Sequence, residues 1–163
     1  METMVRIQHG MWSKRSEADL HDSMGVACGT GGGADSALAW AAGQGAGIAD
    51  EACDPYHDRD DNYLPCADRS GRALRVPAYM TLSNVDDQKR WIADVGPITA
   101  TFQVFHDFDS WLPADGPYKY DGVSYYRGTH VILIVGYDDN QGCWIIRNSW
   151  GTGWGDSGYG LIA

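Results

Sequence analysis

Gly96-Pro97 divides this chain into two kinds of sequence. Ahead of it, apolar residues recur at helical spacing between capping residues. After it, they alternate or run together over stretches of strand length. Helices segregated from an antiparallel sheet or barrel make an α+β arrangement, here with a helical portion over about 1–95 and a β portion over about 96–163. At 163 residues and 44% hydrophobic, the chain is expected to form one domain with a core of its own.

The helical signals are local. Met1, Met4 and Val5 share a side of a helix over 1–9 that starts without a capping residue. Ser16-Glu17-Ala18-Asp19 resembles a capping box opening a short helix to about Asp22. Asp35 or Ser36 is placed to cap an Ala-rich helix ended by Gly43 to Gly47, and Ser83 or Asn84 to cap another over about 85–95. Beyond Gly96-Pro97, strands are expected over 98–105, 131–135, 144–147 and 159–162, with "YDDNQG" as a hairpin connection. The continuous apolar run 131–135 suits a strand covered on both faces.

Charge narrows the partners. Twelve Lys and Arg against 22 Asp and Glu give a net charge of -10, which repels nucleic-acid phosphate and anionic lipid. No apolar stretch approaches the roughly 18 residues a spanning helix needs, so neither nucleic acid nor membrane is an expected partner. "GTGGGADS" is Gly-rich, but no Lys-Ser/Thr follows it, so it is no phosphate loop. No cofactor is implied. The four cysteines, Cys28, Cys53, Cys66 and Cys143, form no CxxC pair and no zinc spacing with histidine, and no metal centre is expected. Cys53 and Cys66 bracket a Pro- and Asp-containing loop that a disulfide would restrict, although free thiols remain an alternative. His57, Asp58, Asp60 and Asp61 read as a solvated acidic tip of that loop rather than a cation site. Tyr118, Tyr120, Tyr125 and Tyr126 read as packing on the β portion or as a cleft flank.

The chemistry concentrates near the end of the chain. His130 adjoins the apolar run 131–135 and Asn148 follows the strand 144–147, so hairpin pairing brings them together. An amide oxygen accepting from one ring N–H holds an imidazole in a single tautomer, with the other nitrogen free as a base. Trp150 is placed to shield that hydrogen bond from water. Each residue taken alone reads more readily as a structural or packing residue than as a catalytic one.

Together the residues resemble a family. "GTHVILIVGYDD" followed by "CWIIRNSWGTGWGDSGYG" is similar to the histidine and asparagine motifs of papain-like cysteine peptidases. "SEADLHDSMGVACGTGGGADSALAW", "DEACDPY" and "GPITATFQVF" extend the resemblance over nearly the whole chain. The resemblance implies a papain-like fold, a partial helical lobe followed by an antiparallel β lobe, and peptide-bond hydrolysis through an acyl-thioester. It implies that His130 is the general acid/base, Asn148 its orienter, Trp150 the shield and Trp154 part of the wall on the leaving-group side. Gly32 and Gly33 would bond the backbone of an extended peptide or protein substrate.

The family's nucleophilic cysteine and oxyanion glutamine are not in this sequence. The signature places the cysteine roughly 130 residues before the histidine, which falls just ahead of Met1, and residues 1–8 would continue the helix that carries it. The domain is therefore expected to be truncated at its N-terminus, with self-association through surface that the missing segment would cover. Cys28, only 102 residues before His130 and in a Gly-rich loop, is a poor substitute nucleophile. The resemblance also implies a secreted or lysosome- or periplasm-like setting, although no signal peptide is present. Three functions follow: a papain-like peptidase or a part of one, an inactive peptide-binding remnant, and a hydrolase of activated esters in which His130 activates water.

Overall fold

A computed structural model describes residues 1–27, 29–44, 47–57 and 63–163. The chain divides into two compact units, residues 1–81 and 82–163. It is α+β: helices α1 (Glu2–His9), α2 (Glu17–Ser23), α3 (Ala34–Ala39) and α4 (Arg69–Arg72) lie in the first unit. The second holds α5 (Val85–Asp94), α6 (His106–Asp109) and the strands β1 (Ile98–Phe105), β2 (Tyr126–Asp138), β3 (Cys143–Arg147) and β4 (Tyr159–Ile162). Among the described residues no helix is long and apolar enough to cross a membrane.

In the first unit, the Ser16 side chain caps α2 by accepting from the Asp19 N–H at 2.8 Å. The cap of α3 differs from the expectation. Gly33 occupies the N-cap in extended backbone and Asp35 falls inside the first turn, where its charge meets the positive end of the helix. The Ala-rich segment then continues past Ala39 as a π-helical turn, Trp40–Gln44. Cys53 and Cys66 are joined in a disulfide.

The organising contact of this unit is a buried ion pair. Asp19 is fully buried and receives Arg69 through both oxygens, Nε to Oδ1 at 2.6 Å and Nη2 to Oδ2 at 2.9 Å. The Ala49 N–H and the Tyr63 hydroxyl also donate to it, at 2.8 and 2.7 Å. Arg69 reaches on to the Gly47 carbonyl at 2.8 Å. One carboxylate thus ties together α2, α4 and the segments around residues 49 and 63.

In the second unit Asn84 caps α5, accepting from the Asp87 N–H at 2.8 Å. The four strands pair antiparallel in sequence order, β1-β2-β3-β4. β2 is longer than the apolar run suggested and begins at Tyr126, so His130 lies within it. Pairing sets the faces: Ile98, Ala100 and Phe102 on β1 oppose Ile134, Ile132 and His130 on β2, and Ile134 opposes Ile146 on β3. This face meets Val104, Phe108, Trp111, Tyr118 and Trp154 in the core. The other face exposes Thr99, Thr101, Gln103, Thr129 and Val131. The run 131–135 is therefore covered fully on one side only, and Val131 is 37% exposed. A bulge between Ile134 and Gly136 shifts the β2–β3 register by one residue toward the turn.

In the second unit two glycines, Gly155 and Gly160, leave no room for a Cβ. A Cβ on Gly160 would lie 2.7 Å from Trp154 and 3.1 Å from Trp111. Gly155 has φ 57° and would direct a Cβ to within 2.2 Å of the Tyr159 carbonyl oxygen. Gly160→Ala is expected to lower stability by about 1–3 kcal/mol through overpacking of the indoles. Chemical denaturation with tryptophan fluorescence checks this, and a variant within about 0.5 kcal/mol of wild type would show that the two rings can yield.

Candidate active site around His130 and Asn148

β2 carries His130 half-buried on the core face, directly across from Phe102 on β1. β3 ends at Arg147, and Asn148 keeps the alternation that puts Ile146 on the same face. Its backbone is fixed where the Asn148 N–H donates to the Gly158 carbonyl at 2.9 Å. The side chain is 7% exposed, with Oδ1 lying 2.8 Å from His130 Nε2.

A second contact settles what that 2.8 Å means chemically. The Ser149 backbone N–H also donates to Asn148 Oδ1, at 2.8 Å. The atom facing Ser149 has to be an acceptor, so the amide cannot be flipped without turning its NH2 onto that N–H. His130 Nε2 then carries the proton, and Nδ1 keeps the lone pair. In the neutral ring this contact leaves Nδ1 as the nitrogen able to accept a proton.

Aromatic rings close around it. Trp150 stacks on the imidazole with centroids 5.1 Å apart at 29°, while Phe102 leans on it at 6.0 Å and 59°. Trp150 is itself held edge-on by Phe108 at 5.6 Å and by Trp154 at 5.9 Å. Trp150 is 40% exposed and forms the outer cover, whereas Trp154 is 8% exposed and belongs to the core beneath it. Removing water from the Nε2–H···Oδ1 bond strengthens it and resists tautomer exchange. Replacement of Asn148 by Ala is expected to convert His130 from one tautomer to a mixture. A long-range ¹⁵N–¹H correlation spectrum of the imidazole reads this directly, and an unchanged Nε2–H pattern would remove Asn148 as the orienter.

The structure thus brings together His130, Asn148 and Trp150. Gly32 and Gly33 lie exposed in the first unit just ahead of α3. Cys28 lies outside the described residues. Cys143 is buried, and burial, followed by the charge of Asp138, raises its thiol above the ordinary range. It stands five residues along from Asn148, about 16 Å at strand rise, and is no partner for His130. Cys53 and Cys66 are consumed in their disulfide. Of the tyrosine run, Tyr118 is core while Tyr120, Tyr125 and Tyr126 are exposed. Phe102 and the Ser149 N–H escaped the sequence reading. Alternation in "ITATFQVF" marks Phe102 as inward, but only the strand register sets it opposite His130.

Comparison with known proteins covers the whole chain. The family described as papain family cysteine protease matches residues 1–163. Mouse (Mus musculus) cathepsin K is 30% identical over 169 residues, covering 100% of this chain and 50% of the mouse protein. Chicken (Gallus gallus) cathepsin K is 34% identical over 129 residues, 72% of this chain and 35% of its own. Among solved structures, procathepsin B S9 from Trypanosoma congolense superposes with a TM-score of 0.81 at 25% identity, covering 99% of this chain and 58% of that one. The digestive procathepsin L2 proteinase of Tenebrio molitor gives 0.77 at 30% identity, over 99% and 51%. The chain spans half or less of the length of these two cathepsin K relatives.

Proposed function

Because the chain belongs to the papain family of cysteine proteases, we propose that residues 82–163 supply the acid–base half of a thiol-dependent peptide-bond hydrolase. The observation that carries this reading is Asn148 Oδ1, held by Ser149 and facing His130 Nε2 at 2.8 Å. In the proposed cycle His130 Nδ1 takes the proton of a cysteine thiol, and the thiolate attacks the scissile carbonyl carbon. The resulting imidazolium, steadied by Asn148, returns that proton to the leaving amine as the C–N bond breaks and an acyl-thioester remains. Water then attacks the thioester. His130 accepts its proton, the carbonyl re-forms as the C–S bond breaks, the acid product leaves, and the freed sulfur takes the proton back from His130. The cysteine that supplies this thiol is to be identified by covalent labelling. Gly32 and Gly33 are proposed to bond the backbone of an extended peptide. The Cys53–Cys66 disulfide supports work in an oxidising compartment, secreted or lysosomal in kind.

A reading frame that contains this sequence tests the proposal. A peptide bearing a thiol-directed electrophile is expected to label one cysteine and to stop peptide hydrolysis. If no thiol is labelled and peptide substrates survive, the thiol mechanism falls. The 163-residue chain separates the other readings. The defined Nδ1 lone pair favours activation of water as a second reading, for which activated-ester hydrolysis would persist in Cys28→Ala and vanish in His130→Ala. Binding of an extended peptide without either reaction would leave only a recognition role.

A further inference from the structure

The reading of a solvated acidic tip after Cys53 does not hold for His57. Asp58, Asp60 and Asp61 lie outside the described residues, but His57 turns inward. Its Nε2 is 3.3 Å from Asp22 Oδ2 and 3.9 Å from Asp54 Oδ1. The three side chains are only 19%, 6% and 13% exposed for His57, Asp22 and Asp54. One donor atom from each lies within 4.8 Å of the other two. Sequence neighbours did not suggest this group, because Asp22 comes from the last turn of α2, more than thirty residues before Asp54.

The group is held from outside. His21 Nδ1 lies 2.8 Å from Asp22 Oδ1, which occupies one oxygen of that carboxylate and leaves Oδ2 to face His57. The Ser16 hydroxyl donates to the Asp54 carbonyl, and the Cys53–Cys66 disulfide anchors the start of the loop. Asp54 Oδ2, in contrast, is buried and has no hydrogen-bond partner among the described residues. A buried carboxylate oxygen without a donor is costly, and a second carboxylate nearby adds repulsion. Positive charge at the centre of the three donors would relieve both.

We propose that Asp22, Asp54 and His57 form a divalent-cation site, zinc by its donor set, with His21 orienting Asp22 from behind. Two carboxylate oxygens and one imidazole nitrogen are ligands that zinc accepts at about 2.0–2.2 Å, with water completing four-coordination. Calcium requires six or more oxygens, which this set does not offer. The His21–Asp22 contact is the outer hydrogen bond that commonly fixes a metal-binding carboxylate. Such an ion would fasten the last turn of α2 to the loop beyond the disulfide.

Calorimetric titration of the chelator-treated chain with zinc chloride tests the site. One zinc is expected to bind wild type, and Asp54→Asn and His57→Gln are each expected to weaken it at least tenfold. His21→Ala is expected to weaken it by about 10–100-fold as an outer-contact loss. Zinc should also raise the thermal midpoint of wild type and leave that of His57→Gln unmoved, with calcium moving neither. Far-UV circular dichroism verifies that each variant folds, and the wild-type titration and melt need no variant at all. The proposal is overturned if wild type takes up no zinc at about millimolar concentration. It is equally overturned if zinc binds but the folded variants retain wild-type affinity, which would assign the ion to Cys28 or another thiol.

Discussion

His130→Ala is expected to lower peptide turnover by about 10²–10⁴-fold, the usual worth of a positioned general acid–base group. The measurement uses protein whose thiol the electrophile is able to label, with kcat and KM determined separately. The loss should fall on kcat, because the imidazole acts on protons in flight and contributes little to holding a peptide backbone. Loss of the Trp150 stacking contact costs at most about 1.5 kcal/mol of stability, too little to unfold the unit and imitate the effect. Residual activity within about tenfold of wild type would remove His130 from the reaction. His130→Gln refines the test: its amide can still contact Asn148 but cannot carry a proton between two substrates, so it should be as slow as alanine.

The second large effect is on stability. Asp19→Ala leaves Arg69 buried against the Gly47 carbonyl without its counter-ion, a change expected to cost about 3–5 kcal/mol. A loss of that size lowers the midpoint of a unit this small by about 12 °C or more. Burial alone would push the Asp19 carboxyl up. Arg69, the Ala49 N–H and the Tyr63 hydroxyl outweigh it, and the net shift is downward. Tyr63 moves the opposite way, to about 12, through burial and its bond to that carboxylate, so it remains a donor. The sign for pH follows. A depressed carboxylate contributes stability above the ordinary aspartate value, about 3.9, and that contribution is lost as pH falls through the lower folded value. Acid unfolding followed by circular dichroism should therefore show a loss below about pH 4 in wild type that Asp19→Ala lacks. Equal acid losses in the two proteins would mean that the carboxylate is not the sensitive group.

What the sequence made legible was local or strictly periodic. Ser16 and Asn84 cap their helices as read, because a cap bonds a backbone N–H three residues away. β1 and β4 keep their expected bounds, and His130 meets Asn148 because a single hairpin joins them. The cap of α3 was misread because Asp, Ser and Gly all stand near its start and only backbone angles choose among them. Val131 is exposed because an apolar run does not say what covers its second face. Distance in sequence hid the rest. Asp19 and Arg69 are fifty residues apart, and neither reads as buried, since an aspartate next to a helix cap and an arginine in a polar loop are ordinary surface residues. His57 reads as part of a run of charged sequence neighbours, whereas its Nε2 faces Asp22 on another element.

His130 and Asn148 lie eighteen residues apart across the turn that joins β2 to β3. That spacing has a kinetic consequence. Closing so short a loop costs little chain entropy, and hairpins of this kind form in about 1–10 μs. The Asp19–Arg69 pair has to close a loop of fifty residues before it gains anything. In a refolding experiment followed by pulsed hydrogen exchange, amides of the β2–β3 ladder should thus gain protection ahead of the Ala49 amide. The chemistry-bearing end of the chain would be in order while the other unit is still searching for its salt bridge.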